Sequence, residues 1–205
     1  MYRKAIKRIL DICLSVIGLP FLLLGVIFIA PMIFLDDPGP IFYNAERLGM
    51  NGKIFNMYKF RTMKVHAPDL RNEDGSTFNA KDDPRLTRAG RILRKTSLDE
   101  IPQLLNVLKG DMSLVGPRPD LPEHRTMYEG EEEKKLLVRP GITGFSQAYY
   151  RNSIPWKKRL ENDVYYVKHM SFLLDVKIFF KTILSVFASK GVYIESSDKI
   201  EEGRK

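Results

Sequence analysis

Hydrophobic residues gather toward the two ends of the chain, and their pattern differs at each. Residues 12–35 are 24 consecutive uncharged positions, closed by Asp11 on one side and by Asp36 and Asp37 on the other. About 20 apolar residues cross a bilayer core, so this segment is long enough to span or to anchor. Arg3, Lys4, Lys7 and Arg8 precede it, a basic flank of the kind that stays cytoplasmic. A cleaved signal peptide fits poorly, because its apolar run is only ~7–15 residues and a small-residue cleavage site follows it. Pro20 removes a helical hydrogen bond and predicts a kink, with Gly18 and Gly25 flanking it and Pro31 near the far end. Two geometries satisfy the pattern: a kinked spanning helix, or a helix-break-helix that enters and leaves by one face.

Beyond the turn-forming residues 36–40, the alternation in 52–61 predicts a short strand with Lys59 and Arg61 on one face. Residues 67–84 carry little apolar content and read as a loop, and 88–94 as a basic helix. Residues 97–109 give the clearest helix signal, with Leu98, Ile101, Leu104, Leu105 and Leu108 on one stripe and Gly110 closing it. Residues 115–119 and 138–144 are Pro/Gly turns, each carrying an arginine, and 128–137 reads as a solvated helix rich in glutamate. The last third is helical, over 156–170 and 172–189. Lys177, Lys181 and Ser185 recur every four residues in the second of these, a narrow polar stripe that suits either a buried helix or one lying in a membrane interface.

Charge narrows the partners. A net charge of +8 over 205 residues favours an anionic partner: nucleic acid, lipid headgroups or a phosphorylated substrate. One cysteine, Cys13, excludes a disulfide framework and a cysteine-built zinc site. The chain has no P-loop, no G-x-G-x-x-G, no G-x-S-x-G and no H-E-x-x-H, so kinase, Rossmann, serine-hydrolase and zincin chemistry lose their support. No known nucleic-acid module is present either.

Three constellations remain. Ser97-Leu98-Asp99-Glu100 has the spacing of a capping box. The same adjacent carboxylates could also hold Mg2+ and offer a nucleophilic oxygen to a phosphate. Gly116-Pro117-Arg118-Pro119 and Arg139-Pro140-Gly141 fix guanidinium groups on stiff turns, suited to phosphate oxygens. Lys59 and Arg61 add positive charge.

The segments 58–63, 97–104, 106–113, Gly116-Pro117-Arg118-Pro119 and 139–144 together resemble the monotopic polyprenol-phosphate phosphoglycosyl transferases, the bacterial sugar transferase family, in its minimal single-domain form. The resemblance implies transfer of sugar 1-phosphate from a UDP-sugar to undecaprenyl phosphate with release of UMP, the first membrane step of surface glycan assembly. It implies that Asp99 is the nucleophile, forming a phosphoglycosyl-Asp intermediate, with Glu100 its partner in holding Mg2+. Lys59 and Arg118 would meet phosphate oxygens, Arg139 the diphosphate or nucleotide, and Asp163 would be a further contact; Arg61 joins them as a substrate-binding candidate through its charge on the strand. The anchor would be re-entrant and break at Pro20, although Leu19 stands where relatives carry a small polar residue.

The expected fold is mostly α with a short β element. A re-entrant anchor over 1–36 precedes a small α-rich catalytic domain over 37–195 with interfacial amphipathic helices, and a disordered tail over 196–205 ends the chain. The expected place is the cytoplasmic face of a bacterial inner membrane, among its phospholipids and without nucleic acid; a homo-oligomer is compatible with this. The rival readings are a glycosyl transferase that releases UDP, and a membrane-surface scaffold in which Asp99 and Glu100 only cap a helix.

Overall fold

A computed structural model of the chain describes residues 2–70, 78, 80, 82–151 and 153–188. After a single wide turn at Tyr2–Ile6, helix α1 runs Lys7–Asp36, 30 residues or about 45 Å at 1.5 Å per residue. Among the described residues it is the one helix long and apolar enough to cross a membrane. Its inward stripe, Lys7, Asp11, Ser15, Leu22, Ile29 and Ile33, repeats at helical spacing and is buried from end to end. Ile17, Phe21, Leu24 and Phe28 face outward and are exposed. Pro20 and Pro31 both lie inside the helix, which is continuous rather than divided by a non-helical break. Each proline withdraws one donor, and the leucine- and isoleucine-rich turns around it keep the rest of the ladder.

The body holds α1 along its whole length. Near its start, Lys7 Nζ donates to Asp175 at 2.5 Å, and the Arg8 guanidinium donates to Val107 O at 2.6 Å and Leu108 O at 3.1 Å. Asp11 accepts from Leu114 N at 3.0 Å. At its far end, Asp36 accepts from Ala89 N at 2.7 Å, and Asp37 pairs with Arg61. Between these polar fastenings Leu22, Ile29 and Ile33 pack with Phe60 and Leu93.

Strands β1 (Phe42–Leu48) and β2 (Ile54–Phe60) form an antiparallel hairpin with Tyr43 opposite Lys59. The alternation exposed β2 alone. β1 shows outward Phe42 and Tyr43, because its first three residues face solvent and only Ala45 and Leu48 are buried. Helix α2 (Arg88–Thr96) matches the basic helix. A Cβ at Gly90 would lie 1.8 Å from Thr62 O, so only glycine lets α2 press against that backbone.

The helix expected over 97–109 is shorter. Leu98–Glu100 is a single tight turn and α3 begins only at Gln103, ending at Lys109 with Gly110 left-handed. Its buried face is Gln103, Asn106 and Val107, whereas Leu98 and Leu105 of the leucine stripe are 38% and 39% exposed. Strand β3 (Ser113–Val115) pairs in parallel with β4 (Gly141–Thr143), which joins the two Pro/Gly turns. The stretch over 128–137 forms only a tight turn, Glu132–Leu137, instead of an α-helix. Helix α4 (Phe145–Tyr149) is followed by α5 (Trp156–His169) and α6 (Phe172–Ala188), as the pattern predicts for the last two. On α6, Asp175 and Ile178 are buried while Phe172, Leu173, Phe180 and Leu184 are exposed. Parts of the loop over 67–84, and the tail from 196, lie outside the described residues.

Candidate active site

Thr87 caps α2 by accepting from Gly90 N at 2.9 Å, and the helix ends where Ser97 turns left-handed at φ 58°. That reversal swings the next turn, Leu98–Glu100, back against β2. The capping box does not form. The Ser97 hydroxyl makes no cap and instead accepts from Arg151 at 3.3 Å, while the Glu100 carboxylate faces away toward cations. Lys59 Nζ lies 2.7 Å from Glu100 Oε1 and 3.8 Å from Asp99 Oδ2. Both terminal nitrogens of Arg118 reach the same Glu100 oxygen at 3.4 Å.

One carboxylate is therefore committed and the other is not. Among the described residues the Asp99 carboxylate accepts no hydrogen bond, although it is only 7% exposed. Burial pushes its pKa above the ordinary value; Lys59 opposes that, the Glu100 charge adds to it, and Arg94 and Arg118 oppose it further. Burial acts on Glu100 too, but Lys59 and Arg118 outweigh it and hold that carboxyl well below the usual range. Glu100 is thus the more acidic member of the pair, ion-paired to Lys59 and Arg118, while Asp99 keeps a poorly solvated, uncommitted carboxylate oxygen.

Of the residues singled out from sequence, Asp99, Glu100, Lys59 and Arg118 meet. The other three are engaged elsewhere. Arg61 lies just past the end of β2, where it donates to Pro40 O at 2.6 Å and pairs with Asp37. Arg139 donates to Gly110 O at 2.8 Å. Asp163 is buried 2.8 Å from Lys135, and burial lifts its pKa to about 6 against the pull of that lysine.

Two arginines that sequence reasoning missed stand beside the pair. Arg94, whose Nε donates to Thr62 Oγ1 at 3.1 Å, acts electrostatically on Asp99. Arg151 bonds Ser97 and acts on Glu100. Arg94 read only as one charge in a basic helix. Arg151 carried no signal at all, since its approach depends on a left-handed backbone at φ 51°.

No group of three or more His, Cys, Asp or Glu suited to a metal occurs among the described residues. The donor set is two hard carboxylates within a ring of cations. That fits a magnesium ion which takes one or two protein carboxylates and completes its shell with substrate phosphate and water. Lys59, Arg94, Arg118 and Arg151 around one acidic turn form a site for a polyanion.

A family model described as bacterial sugar transferase matches residues 2–189. The chain belongs to this family. It is therefore a transferase, with the dyad, Lys59 and Arg118 all inside the matched region. An uncharacterized sugar transferase of Bacillus subtilis (strain 168), EpsL, is 42% identical over 187 residues, 91% of this chain and 90% of its own length. The undecaprenyl-phosphate galactose phosphotransferase of Salmonella typhimurium is 40% identical over 207 residues, 93% of this chain but 42% of its own. The UDP-glucose:undecaprenyl-phosphate glucose-1-phosphate transferase of Xanthomonas campestris pv. campestris is 39% identical over 202 residues, 94% of this chain and 41% of its own. The chain thus spans nearly all of the first relative and less than half of the other two.

Proposed function

We propose that this protein transfers a sugar 1-phosphate from a UDP-sugar to undecaprenyl phosphate, in two steps through Asp99. In the first, an Asp99 carboxylate oxygen attacks the β-phosphorus, the bond to the bridging oxygen breaks, and UMP leaves with that oxygen. In the second, a phosphate oxygen of the lipid attacks the same phosphorus, and Asp99 departs as carboxylate. The product is an undecaprenyl-diphosphate-sugar, and no net proton moves. The observation that carries this reading is the asymmetry of the pair: Glu100 is tied to Lys59 at 2.7 Å, whereas Asp99 is buried without a hydrogen bond among the described residues.

An anion attacking an anionic phosphate needs positive charge in place beforehand. Lys59 and Arg118 supply it, held by Glu100 at the dyad while the site waits for substrate. Asp99 and Glu100 would hold Mg2+, which when bound neutralises phosphoryl oxygens. A covalent intermediate lets a soluble donor and a lipid acceptor use one site in turn.

The membrane reading rests on the exposed apolar faces of α1 and α6. Because the body fastens both ends of α1, at Lys7 and at Asp36, the helix lies along the body instead of projecting through a bilayer away from it. This supports an anchor that does not leave the body's side of the bilayer and keeps the dyad near headgroup depth, on the cytoplasmic face favoured by the basic flank; the break expected at Pro20 is not part of it, since α1 is continuous there. Cysteines placed just before residue 12 and just after residue 35 should label from one face; labelling from opposite faces would defeat this topology.

The deciding assay combines purified protein, undecaprenyl phosphate, Mg2+ and a panel of UDP-sugars, and resolves UMP from UDP. UMP release with lipid-linked sugar diphosphate supports the proposal. UDP release would make the protein a plain glycosyl transferase and remove the nucleophile role from Asp99. Silence across the panel would leave a sugar donor outside it or the scaffold reading, with no catalytic role for Asp99 until shown otherwise.

A further inference from the structure

Between β2, which carries Lys59, and α3, which follows the dyad turn, the contacts are apolar packing, one buried amide and the exposed Lys109, whose Nζ donates to the Tyr58 hydroxyl at 2.9 Å. Asn106 lies on α3, one to two turns after Glu100, and is completely buried. Its Oδ1 accepts from Tyr58 N at 2.9 Å, and its Nδ2 donates to Asn56 O at 2.7 Å. Along a strand, backbone groups two residues apart point to the same edge. Asn56 O and Tyr58 N are therefore successive groups on the edge of β2 that β1 leaves unpaired. The amide supplies the donor and acceptor that a third strand would have supplied. A carboxamide carries its donor and its acceptor on two separate atoms of one planar terminus, which suits two neighbouring backbone groups. Asp111 Oδ2 accepts from the same Nδ2 at 3.4 Å, and the Asn106 backbone oxygen accepts from Gly110, Asp111 and Met112 N at the end of α3.

Met57 also packs with Val107 and Met112, but apolar packing is non-directional and tolerates sliding. Two hydrogen bonds to groups flanking residue 57 fix both the height and the tilt of the strand against α3. Lys59 follows Tyr58 directly and must reach Glu100 at 2.7 Å and Asp99 at 3.8 Å. We infer that Asn106 is a positioning residue: its side-chain amide pins β2 to the dyad-bearing segment and thereby places the Lys59 ammonium between the two carboxylates. The inference builds on the proposed role of the dyad, but its first test does not require turnover.

That test is amine footprinting of the full-length protein in detergent, reading Lys59 acylation by mass spectrometry with exposed Lys158 as internal reference. Asn106→Ala is expected to raise Lys59 labelling several-fold while Lys158 is unchanged. Asn106→Asp, of the same size, places a second acceptor against Asn56 O and should do the same, which guards against a packing effect of the smaller side chain. Unaltered Lys59 labelling in either folded variant overturns the inference. A kinetic cycle gives the second readout: Asn106→Ala should lower kcat for nucleotide release about tenfold or more in the parent, and less than about twofold when Lys59→Met is already present. Equal losses in both backgrounds would show a merely structural role and overturn it as well. If UDP appears instead of UMP, the covalent reading falls while the footprinting result still decides where Lys59 sits.

Discussion

Replacing Asp99 by Asn separates the chemistry of this site from its contribution to the fold. Asn keeps the shape of the side chain, so no cavity opens, and the Lys59–Glu100 pair at 2.7 Å and the Arg118 contact remain. What disappears is a charge that the site solvates poorly. Burial raises the Asp99 pKa in the folded chain above its ordinary value of 3.8. A carboxyl raised by folding favours the fold fully below its unfolded pKa and opposes it progressively as pH rises through the folded one. At neutral pH, therefore, wild type carries a penalty that Asn lacks. Each unit by which the carboxyl is raised corresponds to about 1.4 kcal/mol, and each kcal/mol to about 2–4 °C in Tm for a chain of this size. Asp99→Asn should melt at or above the wild-type temperature at pH 7.5, by up to a few degrees, with the advantage vanishing near pH 4. UMP release should fall by at least about 10³-fold. The assay is thermal unfolding in one detergent with chelator present, at both pH values, beside nucleotide release. A variant that melts clearly lower at pH 7.5 refutes the burial argument, and retained UMP release refutes the nucleophile.

Three further expectations test separate parts of the structure. Lys59→Met removes the largest influence that holds the Asp99 pKa down, so the acid limb of kcat/KM against pH should move to higher pH; a limb that stays in place would contradict the assignment. Gly116→Ala would place a Cβ 2.5 Å from Arg139 O and 2.8 Å from Gly141 N, both backbone, and should cost about 1–3 kcal/mol in a thermal melt. Asp175→Ala strands the buried Lys7 ammonium and leaves the Tyr166 hydroxyl without its carboxylate, and should cost about 3–5 kcal/mol, read as new protease sensitivity at the start of α1.

Periodicity located α1, α5 and α6 well, because each is long enough for its pattern to repeat. It does not tell what the leucine stripe of 97–109 faces. An apolar stripe is read as inward, yet here the inward face of α3 is Gln103, Asn106 and Val107, and Leu98 and Leu105 are turned out. Beside an apolar anchor, outward leucines carry no penalty, while an inward amide satisfies the edge of a two-stranded sheet. The two Pro/Gly turns were legible singly but not as partners, since Gly116 N to Thr143 O at 2.8 Å is a contact between distant segments. Period-two alternation put Lys59 and Arg61 on one face, but β2 ends at Phe60, so Arg61 escapes the pleat and turns to Asp37. Asp99, Glu100, Lys59 and Arg118 were legible from residue type and motif. Arg94 and Arg151 were not, because left-handed residues at Ser97 and Arg151 shape the chain around them and neither position has the glycine or asparagine that would announce such a turn.

The cluster of Leu22, Ile29, Ile33, Phe60 and Leu93 takes three of its five members from α1, and Phe60 directly follows the lysine of the site. A tether can be trimmed to liberate a soluble enzyme; this helix is a wall of the interior. Deleting residues before 37 would bare Phe60 and Leu93 and dissolve the support behind Lys59. With α1 as the proposed anchor, insertion into lipid and completion of the fold are one linked equilibrium. Bilayer thickness, acyl-chain order or an ill-chosen detergent should register in this protein as a change in melting temperature before any change in substrate affinity.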